Sequence, residues 1–323
     1  MISFLLYPRA RGGCGAPPVS PLFDYDFTSG VLPTGVTFSR SSSGTRFNAS
    51  GVMVSEAIDA PRFDYDPVTH ALRGLLIEPQ RTNLLTASNS TGTTFHQVVT
   101  LDAISSPDGT VNGRLVADDL EGNSHRTSQT YVNYMVGNVY ALSSHYKSGS
   151  FGSCQFVPAS TAFGGTLYQN IDMANGAFGA GNISTGKTVQ ALADGWLRAA
   201  IVRSCIANQS YVNFVFGNNN NLNAARALYY TGTGGTYYLY GHQVEIVATN
   251  ERQEATSHIP TTGSVVTRAA EVVGMPIPAG ATNGRFVFDD ASTQDVDVSA
   301  YAGGLYEAPV NLNRAHIQRF YAI

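Results

Sequence analysis

Apolar and polar residues alternate along much of this chain, and Gly, Asn, Asp and Ser clusters interrupt the alternation at short intervals. That is the rhythm of short strands joined by tight turns. Residues 139–146, 196–202, 211–216 and 237–246 are the clearest predicted strands, each rich in aromatic and β-branched side chains. Strand alternation puts His145 on the face of Ser143, Arg198 on that of Trp196 and Asn213 on that of Tyr211. Tyr238, Tyr240 and His242 form another same-face series, and Trp196, just after Asp194-Gly195, is expected to pack in a core. No segment sustains a capped 3.6-residue stripe; a single helical turn over 251–255 is the only helical expectation.

One stretch is more pointed. Gly74-Leu75-Leu76-Ile77 reads as a buried strand, followed by Glu78, Pro79, Gln80, Arg81, Thr82 and Asn83 before Leu84-Leu85. Pro79 stops the strand and Asn83 caps or closes the turn. Glu78 with Arg81 is then expected to be a charge-assisted lock at a structural junction rather than a catalytic pair.

The elements predict an all-β chain built on a jelly-roll β-sandwich, with a smaller N-terminal β region and a C-terminal β extension. The expected boundaries are 1–86, 87–268 and 269–323. The terminal IQRFYAI reads as a last strand, and GNNNNLNAA (217–225) as an exposed loop.

Composition narrows the partners. Charged residues are 13% of the chain, about half the usual ~25%, so the surface is expected to be neutral and polar. Net charge is −4 with no basic stripe to neutralise phosphates, which excludes nucleic-acid binding. No apolar stretch approaches the ~20 residues of a spanning helix, so membrane insertion is not expected. The opening MISFLLYPRARGG has only a short apolar segment and a proline at position 8, and is not expected to be a signal peptide. The cysteines, Cys14, Cys154 and Cys205, are odd in number and lack metal-ligand spacing. They are expected as free thiols of a protein made in a reducing cytoplasm, a Cys154–Cys205 bridge across a sheet being the alternative.

Catalytic signatures are missing: there is no G-x-S-x-G elbow, H-E-x-x-H, paired C-x-x-C, P-loop or dinucleotide fingerprint. The carboxylate pairs Asp24/Asp26, Asp64/Asp66 and Asp289/Asp290 invite comparison with glycosidases, but turn and strand-end carboxylates bonding to backbone amides look the same in sequence. Asp118, Asp119 and Glu121 offer enough oxygens to raise calcium as a cofactor; otherwise no cofactor or metal is expected. Tyrosines flanked by Asn, Gln and Arg suit sugar rings, whose C–H faces stack on aromatics while their hydroxyls find polar partners. His145, Arg198, Tyr211, Asn213, Tyr240 and His242 are the candidate glycan contacts.

The run FSRSSSGTRFNASGVMVSEAIDAPRFDYDPVTHALRGLLIEPQRTNLL (38–85) resembles a segment of phage and prophage virion proteins, including head spike fibres and tail fibres. Its pieces are F-x-R-x-S, a G-V turn, A-P-R-F-D-Y-D-P and R-G-L-L-I-E-P-x-R-T-N-L-L. Residues 140–147, 194–198 and 238–246 are similar to the carbohydrate-binding-module-like jelly rolls that often follow, and 255–273 to the usual exit from that module. The resemblance implies a virion surface protein, made in the bacterial cytoplasm, homo-oligomeric (a trimer) and contacting other virion proteins. Its jelly roll would bind host capsule or another surface polysaccharide without cleaving it. A purely structural head decoration or spike base is the alternative, and a depolymerase with a carboxylate pair in a groove is a third class. The motif itself is structural and carries no catalytic residue.

Overall fold

The computed structural model describes residues 21–323 apart from 91, 130, 131 and 211. The protein is nearly all β, with several antiparallel sheets arranged as sandwiches. The short α-turn Ser160–Phe163 and two 3-10 turns are its helical elements among the described residues. The turn expected at 251–255 is instead a series of bends: Glu251 N and Glu254 N close tight local turns on Ala248 O and Arg252 O, and the Arg252 side chain reaches out to the carbonyls of Ile77, Val310 and Leu312.

Both ends of the chain build one unit. His316–Ala322 lies in the middle of a sheet, paired with Asn283–Phe288, with Leu72–Leu76 and with Asp24–Asp26. Opposite it, Thr37–Ser39, Val272–Pro276 and Leu305–Glu307 make a smaller sheet. Phe27, Leu75, Val273, Met275, Phe286, Phe288 and Phe320 fill the space between them, and Phe286 stacks on Phe320 with ring centroids 4.1 Å apart. Gly74 is obligatory here: its φ is +116°, and a Cβ would collide with the carbonyl of Ile317 in the neighbouring strand.

Residues between these ends form the jelly-roll sandwich. One sheet runs Lys187–Ala191, Trp196–Ser204, Val139–Ser148, Thr236–Val247, Val111–Asp118, Gln97–Ser105; the other runs Phe178–Gly181, Gln169–Asp172, Ser153–Phe156, Val212–Phe216, Arg126–Gln129, Thr93–Phe95. Tyr140, Leu142, Tyr146, Leu239 and Val244 point inward from the first sheet and meet Cys154, Phe156, Ile171 and Val215 of the second. Cys154 and Cys205 are buried free thiols; Cys14 lies outside the described residues. The 217–225 segment is only partly exposed. Asn218 is buried, accepting from Ser153 Oγ at 3.1 Å and donating to Asn170 Oδ1 at 3.2 Å, so the loop folds back over the second sheet.

The outer face of the first sheet is covered as well. Residues 256–261 run along it, held by Gln243, whose Oε1 accepts from Ile259 N at 2.6 Å and whose Nε2 donates to Ser257 O at 3.2 Å. The hairpin of Gly44–Phe47 with Met53–Glu56 closes over the same face, and Met53 packs with Leu192, Trp196 and Tyr240. Strand 139–148 is therefore buried on both sides.

Candidate functional site

The junction expected at Glu78 and Arg81 exists, but the two residues do not pair with each other. Glu78 is the hub of a buried ionic network drawn from distant parts of the chain. Its Oε2 accepts from Arg62 Nη2 at 2.8 Å, Arg268 Nη1 at 2.6 Å and Ser257 Oγ at 2.7 Å, while Oε1 accepts from Ser257 N at 2.8 Å. Glu271 extends the network by accepting from Arg62 Nε at 2.8 Å, Arg40 Nη1 at 3.2 Å and the Glu78 amide at 2.9 Å. Burial alone would raise the Glu78 carboxyl; the Arg268 and Arg62 guanidiniums outweigh it and hold the group ionised far below the usual carboxylate range. Three arginines and two glutamates thus share a site nearly closed to solvent.

Arg81 instead pairs with Glu251, just past the last long jelly-roll strand, by a short contact between Nη1 and Oε2. An i,i+3 spacing put Glu78 and Arg81 near each other in sequence, but the turn sends their side chains to opposite partners. Asn83 does close the junction. Its Nδ2 donates to Ile259 O at 2.9 Å and His242 O at 3.3 Å, and its Oδ1 accepts from Leu85 N and Val244 N, both at 3.2 Å. Arg81–Asn83 also pairs as a strand with Val266–Arg268, so entry to and exit from the jelly roll are stitched side by side.

The candidate glycan contacts divide sharply. Tyr240 and His242 are 5% and 1% exposed, so neither offers a surface to a polysaccharide. Tyr240 OH donates to Asp108 Oδ2 at 2.9 Å, and His242 Nδ1 lies 2.7 Å from Ser144 Oγ. Their placement corrects the expectation: Tyr240 is covered by the hairpin that carries Met53, and His242, beyond the bulge at Gly241, is enclosed against Ser144. Tyr211 lies outside the described residues, as does the side chain of Asn213. His145, at 1% exposed, is as closed as His242, so of the described candidates Arg198, its cross-strand neighbour, keeps partial exposure, in a cleft between the two units that His145 backs.

This cleft has a volume of about 550 Å³, within the size range of small-molecule sites. The first unit contributes Phe47, Asp64, Arg73, Arg314 and His316; the jelly roll contributes Thr188, Gln190, His145 and Arg198. Most lining charges are already matched. Arg46 Nε donates to Glu56 at 2.8 Å, Arg73 Nε and Arg314 Nε donate to Asp289 at 2.8 and 2.7 Å, and Asp64 faces His316 Nε2 at 2.8 Å. His145 Nδ1 sits 3.2 Å from two carbonyls, those of Tyr240 and Gly241, so that nitrogen carries the proton; burial, Arg198 and His258 hold its pKa well below the ordinary imidazole value.

The carboxylate pairs are structural. Asp24 binds Arg319, Asp26 accepts from Thr28 N at 2.8 Å, Asp66 accepts from Thr69 N at 2.7 Å and Asp290 from Ser292 N at 3.0 Å. Asp118 and Asp119 diverge. Asp118 accepts from Gln97 at 2.9 Å and from Tyr230, whereas Asp119 faces His96 Nδ1 at 2.9 Å and His125 Nε2 at 3.2 Å. Among the described residues no group of three or more His, Cys, Asp or Glu side chains is placed to hold a metal ion. The oxygens considered for calcium therefore do not converge.

Arg40, Arg62, Arg268 and Glu271, the rest of the ionic network, were not singled out from the sequence. The available signal was charge inside short apolar or proline-bounded runs, F-S-R, A-P-R-F and T-R-A-A-E, in a chain otherwise poor in charge. No protein-family model matches this chain, and no curated protein matches it.

Proposed function

We propose that this protein is a phage-type virion surface component, a head spike or tail fibre, that binds host-surface polysaccharide without cleaving it. The cleft between the two units carries the proposal. It combines an aromatic ring, neutral hydrogen-bonding side chains and charged groups around a volume suited to one or two sugar residues. The resemblance of residues 38–85 to virion fibre segments supports the setting. The bonds of Asn83 and Gln243 between the connecting segments and strand Thr236–Val247 support a rigid two-unit body, because a site shared between units needs their relative position fixed. Homo-oligomerisation and contacts with other virion proteins belong to the same proposal. The test is a glycan array and a host-cell pull-down with the intact chain, since both units line the cleft. Saturable binding to defined glycans is expected; its absence contradicts the proposal.

A structural head decoration or spike base is favoured by a different observation. Val98, Leu101 and Val111 are 62%, 58% and 60% exposed on the edge strand Gln97–Ser105 and its neighbour. Apolar side chains beside an open strand edge suit assembly with another protein. That function predicts capture of virion proteins and no retention on host cells.

A further inference from the structure

Arg198 differs from the other guanidiniums around the cleft. Arg46, Arg73 and Arg314 each hold a carboxylate, and Arg198 holds none among the described residues. Its Nη2 donates to the neutral Ser143 Oγ at 2.8 Å, and its Nε is buried with no hydrogen-bond partner. Glu245 and Glu78 act on it only at a distance, each occupied elsewhere: Glu245 by the Thr256 amide and hydroxyl, Glu78 by Arg62, Arg268 and Ser257. An always-charged group with unmet donors, partly removed from water, favours an incoming anion. Because Nε is closed to solvent, a carboxylate in the cleft is received by the Nη groups of the guanidinium.

The neighbours of Arg198 define the rest of the ligand. Gln190 sits directly across from it in the adjoining strand, and Thr188 lies two residues further along that edge. Asn313 reaches the cleft from the other unit, as does the ring of Phe47. Neutral amides and a hydroxyl suit ring hydroxyls, and an aromatic ring suits an apolar C–H face.

We propose that the cleft selects an acidic saccharide residue, with Arg198 as the group that receives its carboxylate. This rests on the glycan-binding function proposed above and narrows it to polysaccharides containing uronic-acid-type units. Gln190, Thr188 and Asn313 contact the hydroxyls, and Phe47 supports the ring.

The test is calorimetric titration of the intact protein with oligosaccharides containing glucuronate, galacturonate or mannuronate, with their carboxyl-reduced counterparts, and with inorganic phosphate. Each reduced sugar carries a neutral hydroxymethyl group in place of the carboxylate. The best acidic oligosaccharide is expected to bind roughly 10- to 100-fold more tightly than its reduced form, and Arg198→Gln is expected to erase that difference. Thr188 is exposed on an edge strand, so Thr188→Trp should fold normally and block the cleft, abolishing binding. It decides the location even if Arg198→Gln does not fold. Equal affinity for acidic and reduced sugars overturns the acidic selectivity while leaving glycan binding intact. Phosphate binding as tightly as the best saccharide overturns it in favour of a plain anion site. Unchanged binding by Thr188→Trp places the ligand elsewhere and overturns it too. If no saccharide binds at all, the glycan function falls with it.

Discussion

Glu78 and Arg268 stand 190 positions apart in the chain, yet Arg268 Nη1 donates to Glu78 Oε2 at 2.6 Å in a site nearly closed to solvent. One residue precedes the jelly roll and the other follows it, so this contact closes the loop that the whole sandwich forms. Removing one member of such a pair leaves its partner charged and buried.

Arg268→Ala should therefore lower stability by about 3–5 kcal/mol, read as a fall in the urea midpoint. The exposed pair Arg285–Asp295 provides the contrast, because solvent screens it and side-chain entropy opposes it. Arg285→Ala should leave the midpoint unmoved. Equal effects of the two substitutions would show that the buried network does not hold the two ends of the chain together.

Arg81→Ala removes the link to Glu251 but touches no group lining the cleft. A loss of about 1–3 kcal/mol is expected, with ligand affinity unchanged in the protein that remains folded. Melting curves and titration on the same sample separate the two quantities. Weakened binding at unchanged stability would contradict a junction role.

Much of the fold was legible in the residues. Strands 139–146, 196–202 and 237–246 were visible from alternation, and Trp196 was placed in a core, where it is 1% exposed. The cover over the outer face was not legible. His145 and Tyr240 read as candidate glycan contacts because a polar layer against a second unit has the same period-two pattern as one against water. Only the long-range partners distinguish them, and Gln243 finds its own in residues 257–259. The same limit hid the partners of Glu78 and Arg81, since a spacing of three suggests a local pair while the turn sends each side chain elsewhere. Within the candidate site, His145 and Arg198 were legible by residue type; the cleft they line, made by two units, was not.

The buried histidines His145, His242 and His258 should make stability depend on mildly acidic pH. Burial, with Arg198 and His242 nearby, takes His258 down to about 3; burial with Arg114 takes His242 to about 3; His145 is lowered by burial, Arg198 and His258. Below the ordinary imidazole pKa the unfolded chain binds protons that the folded one refuses, so the stability these groups allow is complete above about pH 6.5 and falls as pH drops toward 3. His258 and His242 each contribute about 1.4 kcal/mol of loss per pH unit in that window, and His145 acts in the same direction. Urea unfolding at pH 7.5 and pH 5.5 measures the sum, and His258→Gln should flatten the slope. A pH-independent midpoint over this range would contradict neutral, buried imidazoles.

Cys154 should be inert in the native protein. Burial raises its thiol well above the ordinary value, which suppresses the reactive thiolate, and Cys205 is buried as well. In a Cys14→Ser background, a thiol reagent should label neither residue until denaturant is added, after which both react. Rapid native labelling of Cys154 would contradict its place between the two jelly-roll sheets.

Hydrogen–deuterium exchange on the intact chain, with and without a bound host polysaccharide identified on a glycan array, tests the site most directly. Ligand is expected to slow exchange at 188–198 and at 313–316, segments from different units that both line the cleft. Protection confined to the exposed edge at 97–105, or absent from both cleft segments while the ligand is bound, would contradict a shared glycan site between the two units.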